Sequence, residues 1–346
     1  MSSPSQSTES DPRSLSARIQ FLQCANSYPE FTRHVTTVET HLSWVFLTDL
    51  YAYKLKKPVH TDFADFSTVE ARRENCLEEV RLNRRLARDV YLGAVALSVN
   101  GTRHLQWGTE GDVVEWLVHM RRLPAERMLD QAIERASIDW ACVDEAALAL
   151  SAFYLQAPRL PVSLEQYTIQ LREDADANFR ALSCDSGLLP QGVITSVHHA
   201  QQAFLAQNTE VLGPRTTHIV EGHGDLRPEH ICLLHPPAII DCLEFKRRFR
   251  LLDCAEELAF LWMECEQLGA AEVGERVLAV YTRITGDHPP MRLMDFYMSH
   301  RASLRAKLSI WHLRDAPTAD NSKWTSRALR YLELAQRHSI ASLSYT

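Results

Sequence analysis

The residues from Val220 to Ile231, VEGHGDLRPEHI, hold two glycines, a proline, two histidines and the acids Glu221, Asp225 and Glu229. Such a run makes a poor helix and a poor strand, so an ordered loop is expected. Behind it come Ile231-Cys232-Leu233-Leu234, a turn at His235-Pro236-Pro237, and Ala238-Ile239-Ile240-Asp241, an apolar hairpin whose second arm ends in an acid. A strand advances about 3.3 Å per residue with its partner about 4.8 Å away, so the return arm should carry Asp241 back beside His230. Asp225, His230 and Asp241 are thus expected to converge. Two carboxylates and an imidazole brought together at the edge of a buried hairpin repel and lose solvation unless a cation or a proton compensates. A divalent metal is the economical compensation.

The elements that would position these residues can be read from periodicity and punctuation. Two strands are expected over roughly His41 to Thr48 and Tyr51 to Lys57, joined at Asp49-Leu50. Ser67-Thr68-Val69-Glu70 has the form of a capping box and opens a helix predicted to run to about Arg88. Val90 to Val99 and Val113 to Met120 add strands, making a sheet of at least four. Beyond Pro124 the character turns helical, over about Ala125 to Ala136, Val143 to Gln156, Leu164 to Leu182 and Val193 to Gln207. The fold class expected is α+β: a flexible tail over 1–14, a small antiparallel β lobe with one long helix over 15–122, and a larger, mostly helical lobe over 123–346. Pro124 serves as the hinge, because the residue before a proline is pushed out of helical conformation.

Composition narrows the function classes. With 346 residues, 45% of them hydrophobic, the chain can bury a substantial core. The longest apolar stretch, Val90 to Val99, is about half of what a membrane helix needs, so no membrane span is expected. The 37 basic and 44 acidic residues leave a formal charge of −7, which argues against a general nucleic-acid binder. Eight cysteines without a C-x-x-C pair speak against a zinc ribbon and a disulfide framework. The polar N-terminus lacks the pattern of a secretory leader, and a reducing cytoplasm is the expected setting.

His223-Gly-Asp225-x4-His230 followed by Ile240-Asp241 resembles the His-Gly-Asp-x4-Asn and Ile-Asp pair of the aminoglycoside phosphotransferase-like family, a branch of the protein-kinase-like superfamily. Within the branch the chain is most similar to uncharacterised bacterial phosphotransferase-family proteins, on Tyr53-Lys54-Leu55-Lys56-Lys57-Pro58, Leu82-Asn83-Arg84-Arg85-Leu86 and Met120-Arg121-Arg122-Leu123. Some relatives fuse a second, P-loop kinase domain. Here the only G-x4-G spacings, Gly187 to Gly192 and Gly269 to Gly274, are not followed by Lys, so no P-loop is expected.

The resemblance implies a two-lobed kinase-like enzyme that transfers the γ-phosphoryl group of ATP to the hydroxyl of a small molecule with Mg²⁺ assistance, the nucleotide lying between the lobes near Met120 to Leu123. It makes Asp225 the base and Asp241 the metal ligand. Arg227, two residues past the base, could place its charge on the transferring phosphate, and His223 is expected to brace the loop. It further requires a lysine on the third strand and a helix glutamate. Lys54 is the expected lysine, with Lys56, on the same strand face, as the alternative. Glu79 shares a helix face with Leu82 and Leu86 and is preferred to Glu78. Asp253, at a second capping pattern, is expected to cap a helix and help fix the loop. Glu244 is expected either at the metal or substrate or in a salt bridge to Arg250, and His300, Arg301, Arg305 and Lys307 as a solvated helix face or, for Arg301 and Arg305, a grip on an anionic substrate.

His230 departs from the family pattern, which has Asn there, and imidazole is a less natural Mg²⁺ ligand than an amide oxygen. Three consequences follow as alternatives: His230 ligates a softer ion such as Mn²⁺, a single metal is held by Asp241, or catalysis has been lost and the protein is a nucleotide-sensing pseudokinase. A further alternative makes His223, Asp225, His230 and Asp241 the transition-metal ligands of a hydrolase.

Overall fold

The computed structural model describes residues 11–61, 64–184, 187–315 and 322–344; residues 1–10 of the expected tail lie outside them. The described residues form two units. One contains the chain up to Pro124 together with Ile240–Lys246, the other Ala125–Ile239 and the chain from Arg247 onward.

In the first unit, α1 (Leu15–Gln23) precedes β1 (Thr36–Glu39), β2 (Ser43–Leu47) and β3 (Tyr51–Lys56); α2 (Val69–Asn83) then leads to β4 (Tyr91–Val99), β5 (Leu105–Trp107) and β6 (Asp112–Arg121). The six strands form one antiparallel sheet in the order β1-β2-β3-β6-β4-β5. Alternation along β3 sorts its residues by chemistry. Tyr53 and Leu55 enter the core with Phe46, Leu97 and Leu117, while Lys54 and Lys56 face α2.

Helix α2 starts one residue later than the expected box. Thr68 is the cap, accepting from the N–H of Ala71 at 3.1 Å, because the Ser67 hydroxyl is donated to Asp65 instead. The helix also stops at Asn83, short of Arg88. There the Asn83 side chain turns back to donate to the Glu79 carbonyl at 2.9 Å, and its own oxygen accepts from the N–H of Cys242 at 2.8 Å. The end of α2 thereby anchors the segment that carries Asp241.

The second unit holds α3 (Leu129–Glu134), α4 (Trp140–Gln156), α5 (Leu164–Ser183), α6 (Gln191–Gln207), α7 (Thr209–Arg215), α8 (Cys254–Gln267), α9 (Ala271–Thr285), α10 (Met291–Asp315) and α11 (Ser322–Ser344). Two short ribbons accompany them: β7 (Ile219–Glu221) with β10 (Leu251–Asp253), and β8 (Ile231–Cys232) with β9 (Ala238–Ile239). Val220 and Glu221, expected in the loop, are thus in β7. The helix expected over Ala125 to Ala136 is a 3-10 turn at Ala125–Arg127 followed by α3, with Met128 between them bridged to Cys232. The core gathers Phe204, Phe260, Met294, Phe296, Tyr297 and Tyr331 from α6, α8, α10 and α11.

The charged positions of α10 are a correction. Arg301 and Arg305 are buried, not solvated; they pair with Glu256 at 2.8 Å and Glu264 at 2.6 Å on α8 and lie over the rings of Phe260 and Tyr331. Arg72 on α2 is likewise buried, against Glu115 at 2.7 Å. Acids elsewhere in the fold neutralise these arginines, and no local spacing announces them.

Candidate active site

In the first unit, β3 and α2 place two lysines on one glutamate. Lys54 Nζ is 2.8 Å from Glu79 Oε1, and Lys56 contacts the other Glu79 oxygen. Lys54 also reaches Asp241 Oδ1 at 2.7 Å, and Lys56 reaches Glu244. Glu244 is therefore bound to a lysine, while Arg250, its expected partner, pairs with Glu221 at 2.8 Å. Burial works against the Glu79 carboxylate, but the two ammonium groups outweigh it and hold its pKa below the ordinary value. Burial pushes the Glu244 carboxyl up. Glu78, the rejected alternative, pairs with Arg81 on the outside of the helix.

Asp241 is set by its backbone. Its φ of +60° lies in the left-handed region, its N–H is 3.1 Å from the hydroxyl oxygen of buried Tyr91, and its side chain keeps 43% of its surface exposed. The Lys56 side chain is only 1% exposed, against 14% for Lys54. Met120 is buried in β6, paired with Ala52 and Tyr91.

In the second unit, β7 and β10 deliver the glycine-rich loop to the first turn of α8. The buried Glu257 carboxylate accepts from the backbone N–H of His223 at 2.8 Å and of Gly224 at 2.6 Å, and from the Tyr154 hydroxyl at 2.7 Å. A Cβ on residue 222 would lie 2.8 Å from a Glu257 oxygen, so only glycine permits this approach. Gly224 turns the chain at φ +88°.

His223, fully buried, accepts from the N–H of Asp225 at 3.3 Å through Nδ1. His230 donates from Nδ1 to the Asp225 carbonyl at 2.8 Å, and its Nε2 accepts from Arg227 at 3.1 Å. Arg227 Nη2 pairs with Asp225 Oδ2 at 2.9 Å, and Nη1 contacts Glu229. Burial disfavours the charged form of Asp225, yet the guanidinium charges of Arg227 and Arg305 keep its pKa below the usual carboxylate value. Asp253 caps α8 at Ala255, as expected, and also receives both a two-pronged guanidinium from Arg215 at 2.6 and 2.7 Å and the Tyr297 hydroxyl at 2.8 Å.

Sequence reasoning missed Glu257. Its only signal was Glu256-Glu257 directly ahead of the apolar run Leu258–Met263, two acids that need buried partners. It also did not foresee that both ring nitrogens of His230 would be engaged inside the loop, so that ligation by His230 would first have to displace Arg227 or the Asp225 carbonyl.

No protein-family model matches the chain. Uncharacterised proteins of Mycobacterium tuberculosis and Mycobacterium bovis are 33% identical to it over 316 residues, 87% of this chain and 59% of theirs. The chain thus spans less than two thirds of the length of these curated relatives. Among solved structures, a choline/ethanolamine kinase family protein from Mesorhizobium loti aligns with a TM-score of 0.55 at 15% identity, over 94% of this chain and 98% of that one. The GDP and kanamycin complex of an APH(2″) aminoglycoside phosphotransferase aligns with a TM-score of 0.53 at 14% identity, over 92% and 98%. The chain has the two-lobed protein-kinase-like fold found in these small-molecule kinases.

Proposed function

We propose that the chain is a small-molecule kinase that moves the γ-phosphoryl group of ATP to a substrate hydroxyl. The observation that carries this reading is Asp225: a carboxylate kept ionised by the guanidinium groups of Arg227 and Arg305, on a loop whose N–H groups Glu257 holds in place. An ionised acid so placed accepts the hydroxyl proton as the substrate oxygen bonds to the γ-phosphorus and ADP departs. Arg227 then has its charge beside the transferring group. Lys54, fixed by Glu79, would hold the α and β phosphates.

The donor chemistry fits a hard cation. Lys54 and Lys56 face three carboxylates, Glu79, Asp241 and Glu244, and this group of five side chains carries one surplus negative charge. Asp241, the most exposed of the named carboxylates, would hold Mg²⁺, which when bound neutralises charge on the nucleotide phosphates. We place the protein in the cytoplasm. No helix among the described residues is long and apolar enough to cross a membrane, and the eight cysteines form no disulfide.

One observation favours a second reading, a nucleotide-binding module without turnover: the Arg227 to Asp225 ion pair occupies the base and has to open before it can work. A screen of metabolite and aminoglycoside hydroxyls for acceptor-dependent ADP release, run with Mg²⁺ and with Mn²⁺, separates the two. Release above the acceptor-free rate supports the kinase. Nucleotide binding with no release for any acceptor supports the module.

A further inference from the structure

One cluster in the helical unit, apart from every residue used so far, combines three ligand chemistries. Asp139 is the N-cap of α4, Cys142 lies in the first turn of that helix, and His235 sits in the turn between β8 and β9. One ligand atom from each lies within 4.8 Å of the others. Cys142 Sγ is 3.2 Å from His235 Nε2, while His235 Nδ1 is 2.9 Å from a Glu145 carboxylate oxygen. A carboxylate accepts, so Nδ1 carries the ring proton and Nε2 turns its lone pair toward the sulfur.

We propose that Cys142, His235 and Asp139 form a Zn²⁺ site, with Glu145 fixing the imidazole from behind. Sulfur, imidazole and carboxylate at ordinary zinc bond lengths of about 2.0–2.3 Å stand about 3.5 Å apart, so shifts on the order of 1 Å close the site. Three protein ligands leave a fourth position for water. The Glu145 contact is the arrangement by which a carboxylate sets the tautomer and orientation of a metal-binding histidine. The His235 side chain is 62% exposed, so an ion reaches it from solvent without opening the fold. The thiol proton leaves to solvent as the sulfur binds. Thiolate selects zinc over magnesium, which separates this site from the cation assigned to Asp241. Its effect is to pin the β8–β9 turn to α4 and brace the hairpin that follows the glycine-rich loop.

The test is made on tag-free, full-length protein stripped with chelator, titrated with Zn²⁺ by calorimetry and with Co²⁺ by absorbance. One zinc per chain is expected, and the cobalt form should show a thiolate-to-metal charge-transfer band. Cys142→Ser should abolish that band, His235→Ala should weaken zinc binding at least tenfold, and Glu145→Gln should weaken it roughly tenfold. Asp241→Ala should leave zinc affinity unchanged. A wild-type cobalt form without the thiolate band overturns the site, and needs no variant to fold. Full zinc affinity in His235→Ala, or its loss in Asp241→Ala, overturns it equally. The kinase reading stands or falls separately, on ADP release.

Discussion

At the scale of single residues, exposure decides which of two chemically identical lysines can meet a ligand. Lys54 shares Glu79 with Lys56 but also touches the half-open Asp241, whereas Lys56 is enclosed between Glu79 and Glu244. Lys54→Met should therefore weaken ATP binding at least tenfold with the fold intact. Lys56→Met should instead cost about 3–5 kcal/mol of stability, because it strands buried carboxylates. Equilibrium denaturation together with ATP titration of both variants distinguishes these outcomes, and equal effects on ATP affinity would reject the assignment. For the proposed base, Asp225→Asn should lower turnover by about 10²- to 10⁴-fold while nucleotide affinity and Tm stay near wild type. Unchanged turnover would remove Asp225 from that role. The types and spacing of these residues were legible in the chain itself, and so were the common strand face of Lys54 and Lys56 and the helix face that Glu79 shares with Leu82, because strand and helix periods are local. That His230 would spend both nitrogens on Asp225 and Arg227 was not legible, since the loop conformation decides it.

At the scale of elements, α8 supports the loop through one carboxylate with more donors than an amide could serve. Two backbone N–H groups and a tyrosine hydroxyl converge on the two oxygens of Glu257. Glu257→Gln leaves a single acceptor oxygen and turns an NH₂ toward donors, at a cost of about 2 kcal/mol. Hydrogen exchange at His223 and Gly224 should speed up accordingly, and protection equal to wild type would show that the contact does not hold the loop. Gly222→Ala should disturb the same contact from the other side. The shifted start of α2 belongs to this scale too. Ser67 and Thr68 are both competent caps, and the choice fell to Thr68 because Asp65 captured the Ser67 hydroxyl.

Across the whole molecule, stability should depend on pH through a buried histidine on α11. His338 lies 2.7 Å from Asp295 and 2.8 Å from Glu266; burial lowers its pKa, but the two carboxylates raise it further, to above the ordinary value. A raised folded-state pKa contributes stability that is complete below the unfolded value of 6.5 and is lost as pH rises through the folded value. Denaturation midpoints from pH 6 to pH 9 should fall more steeply for wild type than for His338→Gln, and parallel curves would refute the coupling. By itself the sequence determined the α+β class, the alternation along β3, the loop and the acids on it, because periodicity and turn chemistry act between near neighbours. The tertiary structure decided which charges neutralise one another. It buried Arg301 and Arg305 against α8, gave Glu244 to Lys56, and brought Cys142 to a histidine 93 positions away. Electrostatic pairing depends on distance through space and on removal from water, and neither quantity is written in the spacing of residues along the chain.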